Sequence, residues 1–256
     1  MQKIKAFLFR VLRFIGAIAI IYVSMVLYMA LTEKQKAFPR AITHKEATEA
    51  LKDIASPLTC TLEDGIVLNG WAIGSDSLPT LLYYPDAEED AAQFLAEIEN
   101  IEGYQLVSFN YRGGGQNKGN PSQENFSTDA AQIYQCATQT NNQPPAFVIG
   151  RGTGAILAFE QSKHAKPIYI DPIFSIADAI SYKYRVLYPK FLIRTSVAVT
   201  KEQAQNTKQP PAIIFDKKLF EQRNIQNIEI FSGKKILIRD GKKLHDTLLE
   251  AIHSQR

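Results

Sequence analysis

The sequence predicts an α/β protein: a mostly parallel sheet with helices on both faces, preceded by one N-terminal transmembrane helix. Three observations carry this. An uncharged apolar run, Phe14–Leu31, lies near the N-terminus. Short segments rich in Val, Ile, Leu and Tyr follow it, with the continuous apolar character of strands covered on both faces. Longer mixed stretches separate those segments, as crossover helices separate parallel strands.

The apolar run comes first. As a helix it is about 27 Å long at ~1.5 Å per residue, close to the ~30 Å hydrocarbon core of a bilayer. Phe7–Val11 extends it if Arg10 and Arg13 reach back to the interface. A cleaved signal peptide is the rival reading, but the run is long and Tyr28-Met29-Ala30 is a poor cleavage site. Lys3, Lys5, Arg10 and Arg13 precede the run, and the mixed charges Glu33, Lys34, Lys36 and Arg40 follow it. That asymmetry places the N-terminus in the cytoplasm and the globular domain outside, which in a bacterial cell means the periplasm. The expected layout is an anchor over 1–32, a polar stem over 33–58 with one short helix around His44–Asp53, and a domain over 59–256.

Composition narrows the function classes. The 256 residues, 45% hydrophobic and 21% charged, suit one domain beside the anchor. A net charge of +3 is too mild to imply nucleic acid, and no nucleic-acid motif is present. Cys60 and Cys136 lack metal-ligand spacing, so neither a metal nor a cofactor is expected. They read as two buried thiols or as one disulfide, the thiols being the favoured reading.

Within the domain the strand candidates are Val67–Ala72, Thr80–Tyr84, Gln105–Tyr111, Ala146–Ile149, Pro167–Ile170, Ala212–Phe215 and Lys235–Ile238. Helix candidates are Glu88–Ile101, Thr128–Thr140, Thr153–Lys163, Ile176–Tyr184, Phe220–Asn227 and Leu244–His253. One junction is especially informative. The buried strand Phe147-Val148-Ile149 runs into Gly150-Arg151-Gly152-Thr153-Gly154 and then a helix. Glycines framing a sharp strand-to-helix turn are the setting of a nucleophile elbow, G-x-S-x-G. Here the apex is Gly152.

With that turn in place, the chain resembles the α/β-hydrolase family, in particular its small membrane-anchored serine-hydrolase branch. Leu62–Gly65 and Leu68–Trp71 look like the opening hairpin. Asn110-Tyr111-Arg112-Gly113-Gly114-Gly115, Gly119 and Pro121-Ser122 are similar to the branch's D-Y-R-G-x-G-x-S-x-G-x-P-S segment, and Thr128-Asp129-Ala130 continues the match. Asp171-Pro172-Ile173-Phe174-Ser175 resembles its E-S-P-F-T-S stretch. The resemblance covers about Thr59 to Ser254 and implies an α/β-hydrolase fold.

It fails at the catalytic positions, so a pseudo-hydrolase is implied. Acyl transfer needs a nucleophile, a base, an acid that orients the base, and oxyanion donors. Gly152 has no side chain. Pro85-Asp86-Ala87 stands where H-G-N follows the third strand in that branch, putting a residue without an N–H and a carboxylate where negative charge develops. In Phe215-Asp216-Lys217-Lys218-Leu219 a leucine, Leu219, stands at the acid position. Only the base survives, as His245 in Gly241-Lys242-Lys243-Leu244-His245-Asp246, similar to G-x-G-H-N-D. Without a hydroxyl partner, His245 reads more simply as a surface or capping residue.

The remaining candidates are plainer. Thr153 offers its backbone N–H rather than a nucleophile, Asp216 lies too early for the acid, and Gly113–Gly115 make turns without the lysine of a phosphate loop. Arg112 and Asp129 read as scaffold. The segment Tyr182–Val199 mixes Tyr182, Tyr184, Tyr188 and Phe191 with Lys183, Arg185, Lys190 and Arg194, which suits either a cover packed over the site or a membrane interface. Two functions follow: a non-catalytic binding or scaffold module whose partner is a protein or lipid, or an active esterase-type hydrolase with a relocated nucleophile.

Overall fold

The structure is a computed structural model and describes residues 2–216, 231–238 and 243–255. Its sheet contains β1 (Ala55–Thr61), β2 (Val67–Ile73), β3 (Thr80–Tyr84), β4 (Gln105–Phe109), β5 (Phe147–Arg151), β6 (Lys166–Ile170), β7 (Ala212–Asp216) and β8 (Lys234–Ile238). Their order is β1-β2-β4-β3-β5-β6-β7-β8. β2 pairs antiparallel with β1 and β4, and every later pairing is parallel. The helices are α1 (Gln2–Ala37), α2 (Lys45–Ala50), α3 (Ala91–Ile98), α4 (Gln123–Asn141), α5 (Gly154–Gln161), α6 (Ile176–Tyr184), α7 (Lys201–Gln205) and α8 (Leu244–His253). The helix expected at Phe220–Asn227 lies outside the described residues.

The pleat sorts the core into two layers, because alternate side chains of a strand face opposite ways. From β3, Leu81 and Tyr83 join Phe94, Leu95 and Ile98 of α3 and Leu248 and Ile252 of α8. Leu82 and Tyr84 join Ile133 and Ala137 of α4 and Ile156 and Leu157 of α5. The central strands β3 and β4 are buried at every position, so their alternation is invisible to hydropathy while their apolar continuity is not. α3 starts where a capping box allows: Asp90 accepts from Ala92 N at 3.1 Å, and Gln93 accepts from Asp90 N at 3.0 Å.

Two differences from the sequence reading have physical causes. β1 was not among the expected strands and straddles the expected boundary between stem and domain, because it is an edge strand with Ser56, Pro57 and Thr59 and carries little apolar signal. It lies against α4, and Cys60 is joined to Cys136 by a disulfide with the Cα atoms 5.7 Å apart. The favoured pair of thiols is therefore corrected: the strand that brings the cysteines together was the one not recognised.

α1 continues through Ala37, and its last turns are packed into the domain. Met29, Glu33, Ala37 and Phe38 are buried. Glu33 Oε1 accepts from Arg194 N and Thr195 N, both at 2.8 Å, and Oε2 accepts from Tyr188 Oη at 2.6 Å. The rest of α1 is an exposed apolar cylinder carrying Phe14, Ile18, Ile20, Val23, Leu27 and Leu31. It is long and apolar enough to cross a membrane.

Candidate functional site

The site forms where β5 turns into α5. Neither framing position admits a larger residue. A Cβ at Gly150 would lie 2.6 Å from Ala155 Cα, and one at Gly154 would lie 2.5 Å from Pro85 O. The apex, Gly152, has φ +53°, the left-handed conformation that side-chain-bearing residues adopt at a cost. Gly152 N donates to Ile170 O at 3.0 Å, and Ile173 N donates to Gly152 O at 2.8 Å, so the turn is tied to the neighbouring strand and the loop after it. The frame of an elbow is intact without its nucleophile.

Asp86 occupies the space above the apex. A Cβ at Gly152 would come within 2.5 Å of Asp86 Oδ1. That oxygen accepts from Thr153 N at 3.0 Å, Ala87 N at 2.9 Å and Thr153 Oγ1 at 2.7 Å. The N–H after the apex and an N–H from the loop after β3 are the two donors of an oxyanion hole in this architecture. Both are present and both are spent on one carboxylate oxygen. Pro85 carries no N–H, and the two backbone donors to this oxygen come from Ala87 and Thr153. The sequence places a carboxylate after β3, but its contact with the β5–α5 turn depends on how the two loops fold against each other.

A partly buried polar network supports Asp86. Glu89 Oε2 accepts from Asp86 N at 3.1 Å and from Tyr83 Oη at 2.6 Å. Arg151 Nη1 reaches Glu89 Oε1 at 3.1 Å and Glu97 Oε2 at 3.3 Å. Burial pushes the Glu89 carboxyl up, against the pull of Arg151 and the hydrogen bond from Tyr83. Burial works against the Arg151 charge too, yet Tyr83, Glu89 and Glu97 hold its pKa above the ordinary value. Tyr111 Oη donates to Pro85 O at 2.9 Å, and burial raises its pKa well above that of a free phenol.

A cavity of about 920 Å³ opens over this floor. Asp86, Ala87 and Thr153 line it, together with Phe174 of the loop after β6, Tyr182 of α6 and Lys36 of α1. The last turn of α1 thus contributes to the wall of the cavity.

The other sequence candidates make other contacts. His245 begins α8, with Nε2 2.9 Å from Asn100 O and Nδ1 3.3 Å from Asp246 Oδ1. Leu219, the residue at the acid position, lies outside the described residues. Asp216 N donates to Asp171 Oδ1 at 2.8 Å, tying the end of β7 to the loop after β6. Arg112 grips Asp129 through Nε at 2.5 Å and Nη2 at 2.7 Å, and Asp64 through Nη1 at 2.7 Å, the scaffold role read from sequence. Gly113 and Gly115 have φ of +74° and +58°, as turn-makers.

Solved structures with this architecture are α/β hydrolases and relatives. An α/β hydrolase from Vibrio vulnificus superposes with a TM-score of 0.65 at 17% identity, covering 86% of this chain and 88% of that one. An esterase from Pyrococcus furiosus gives 0.55 at 15% identity, covering 85% and 92%. A proline iminopeptidase-related protein from Thermus thermophilus gives 0.57 at 11% identity, covering 78% and 96%. The fold is therefore that of the α/β hydrolases, and identities this low speak to the fold alone. Among curated proteins, the lysophosphatidylserine lipase ABHD12 of Danio rerio is 36% identical over 64 residues, which is 25% of this chain and 17% of that protein's length. No family model matches the chain.

Proposed function

We propose that this α/β-hydrolase-fold protein is a membrane-anchored, non-catalytic binding module. The observation that carries the reading is the Asp86 carboxylate seated on Thr153 N and Ala87 N above a glycine apex. Ester hydrolysis in this fold needs an attacking side chain at the apex and two empty donors that strengthen as negative charge develops. Gly152 supplies no atom to attack with. The donors already hold a carboxylate oxygen, so a substrate carbonyl would have to displace it.

The cavity over Asp86 remains available for binding, and the last turn of α1 forms part of its wall. That sharing favours a ligand drawn from the membrane, a lipid rather than a soluble metabolite. The Cys60–Cys136 disulfide supports a domain on the oxidising side of the membrane, since disulfides rarely persist in the cytosol. The charges flanking α1 favour the same orientation.

The test uses the full-length protein in detergent. It is expected neither to label with a fluorophosphonate nor to hydrolyse short p-nitrophenyl esters above background. Gly152→Ser alone is expected to leave both results unchanged, because Asp86 still competes for the hole. Labelling of the natural sequence that disappears in His245→Ala would overturn the reading and establish a working nucleophile elsewhere.

A further inference from the structure

We propose that residues 182–193 form a second membrane element, which enters the leaflet on the domain's side next to α1 without crossing it. The proposal rests on the reading of α1 as a membrane span. The segment holds the end of α6 and two 3₁₀ turns, Arg185–Leu187 and Lys190–Leu192.

Its position is set by the anchor. Tyr22 lies within the apolar run, yet its Oη donates to Val186 O at 3.0 Å. Tyr22 is roughly 14 Å below Leu31 at ~1.5 Å per residue, about half the thickness of a ~30 Å hydrocarbon core. On the free side of α1, Ile20, Val23, Leu27 and Leu31 are all exposed. A bilayer that covers Leu27 and Leu31 also covers whatever lies beside Tyr22, and that is the tip of this segment. The contact is not a lone touch: Arg194 Nη2 donates to Ala30 O at 2.5 Å, and Tyr188 Oη donates to Glu33. One face of α1 is held by the segment from Tyr22 to Glu33.

The tip has the chemistry for that depth. Val186 is 80% exposed and Phe191 84% exposed, apolar surface that the folded domain leaves uncovered. A backbone carbonyl exposed to hydrocarbon is costly unless it finds a donor within the protein, and Tyr22 supplies that donor to Val186. Arg185 at the tip lies 5.0 Å from the centre of Tyr182, Lys36 at the end of α1 is 5.5 Å from both Tyr28 and Tyr184, and Lys190 pairs with Asp178. Basic side chains with aromatic partners are the composition of a membrane interface, where long stems carry the charge back to water.

The experiment places single extra cysteines in the full-length protein, labels them with an environment-sensitive fluorophore and reconstitutes it in phosphatidylcholine vesicles bearing nitroxides on the acyl chains. Leu27→Cys on α1 reports the anchor, Val186→Cys the tip, and Asp76→Cys, exposed in the β2–β3 loop, the water-facing control. The expected result is a blue shift and strong quenching at Val186→Cys, comparable with Leu27→Cys and absent at Asp76→Cys. Adding Tyr22→Phe is expected to reduce quenching at Val186→Cys and to leave Leu27→Cys unchanged. Quenching at Leu27→Cys with none at Val186→Cys overturns this proposal and leaves the anchor standing, as would be seen if a protein partner covered the tip. Absence of quenching at Leu27→Cys overturns the anchor reading, and this proposal with it. Quenching at Val186→Cys that is indifferent to Tyr22→Phe overturns the part assigned to the tyrosine.

Discussion

Two regions of this molecule solve the same local problem with a carboxylate. At the elbow, Asp86 Oδ1 accepts from Thr153 N and Ala87 N. At the junction of α1 with the segment after α6, Glu33 Oε1 accepts from Arg194 N and Thr195 N. The chemistry is alike and the access differs. Glu33 is 4% exposed, sealed between a helix and the segment that grips it. Asp86 lines a cavity of about 920 Å³, so water reaches its donors if it leaves. The sealed acid holds parts together. The accessible one faces the cavity over the β5–α5 turn.

Removing each acid breaks or sharpens that comparison. Glu33→Leu leaves two backbone donors without their acceptor in a sealed place and the Tyr188 hydroxyl with Leu192 O alone, and each orphaned donor costs about 1–3 kcal/mol. A destabilisation on the order of 3 kcal/mol or more is expected by that count, read from thermal unfolding in detergent. Asp86→Ala exposes its donors to cavity water, so a smaller loss of roughly 1 kcal/mol is expected, the net worth of a solvent-exchangeable hydrogen bond. Equal losses at the two positions would remove the distinction drawn from access.

The smallest effect concerns pH. Burial holds the Glu89 carboxyl above its ordinary value of 4.5, so the folded protein binds that proton more readily than the unfolded chain. The stability this contributes is present below 4.5 and is lost as pH rises through the raised value. Glu89→Gln does not titrate, so the stability of the natural protein relative to this variant is expected to fall over that interval. Unfolding followed across pH checks it, and a constant difference would show that Arg151 cancels the burial.

The fold was largely legible. Thr80–Tyr84, Ile176–Tyr184 and Leu244–His253 match the expected elements at both ends, because each is a concentrated local pattern. Expected helices with polar ends shifted: α4 begins at Gln123 instead of Thr128, where Ser122 N finds Asn125 Oδ1 at 2.8 Å. The edge strand β1 was missed, and with it the reason for the disulfide. At the site, Gly152, Gly150 and Gly154 were legible because an elbow is a contiguous turn. The place of Asp86 was only half legible, since it meets Thr153 across 67 positions of chain.

The sequence by itself determined the apolar helix, the alternation of strands and helices, and the glycine frame with Gly152 at its apex. All of these depend on neighbours within a few residues, where periodicity and backbone preference act. Only the tertiary structure decided that Asp86 meets Thr153, that Cys60 meets Cys136, that Glu33 is sealed into the domain and that Tyr22 reaches Val186. Each of those joins segments far apart in the chain. Their meeting depends on how strands are ordered and how helices pack over the sheet, which no local pattern encodes.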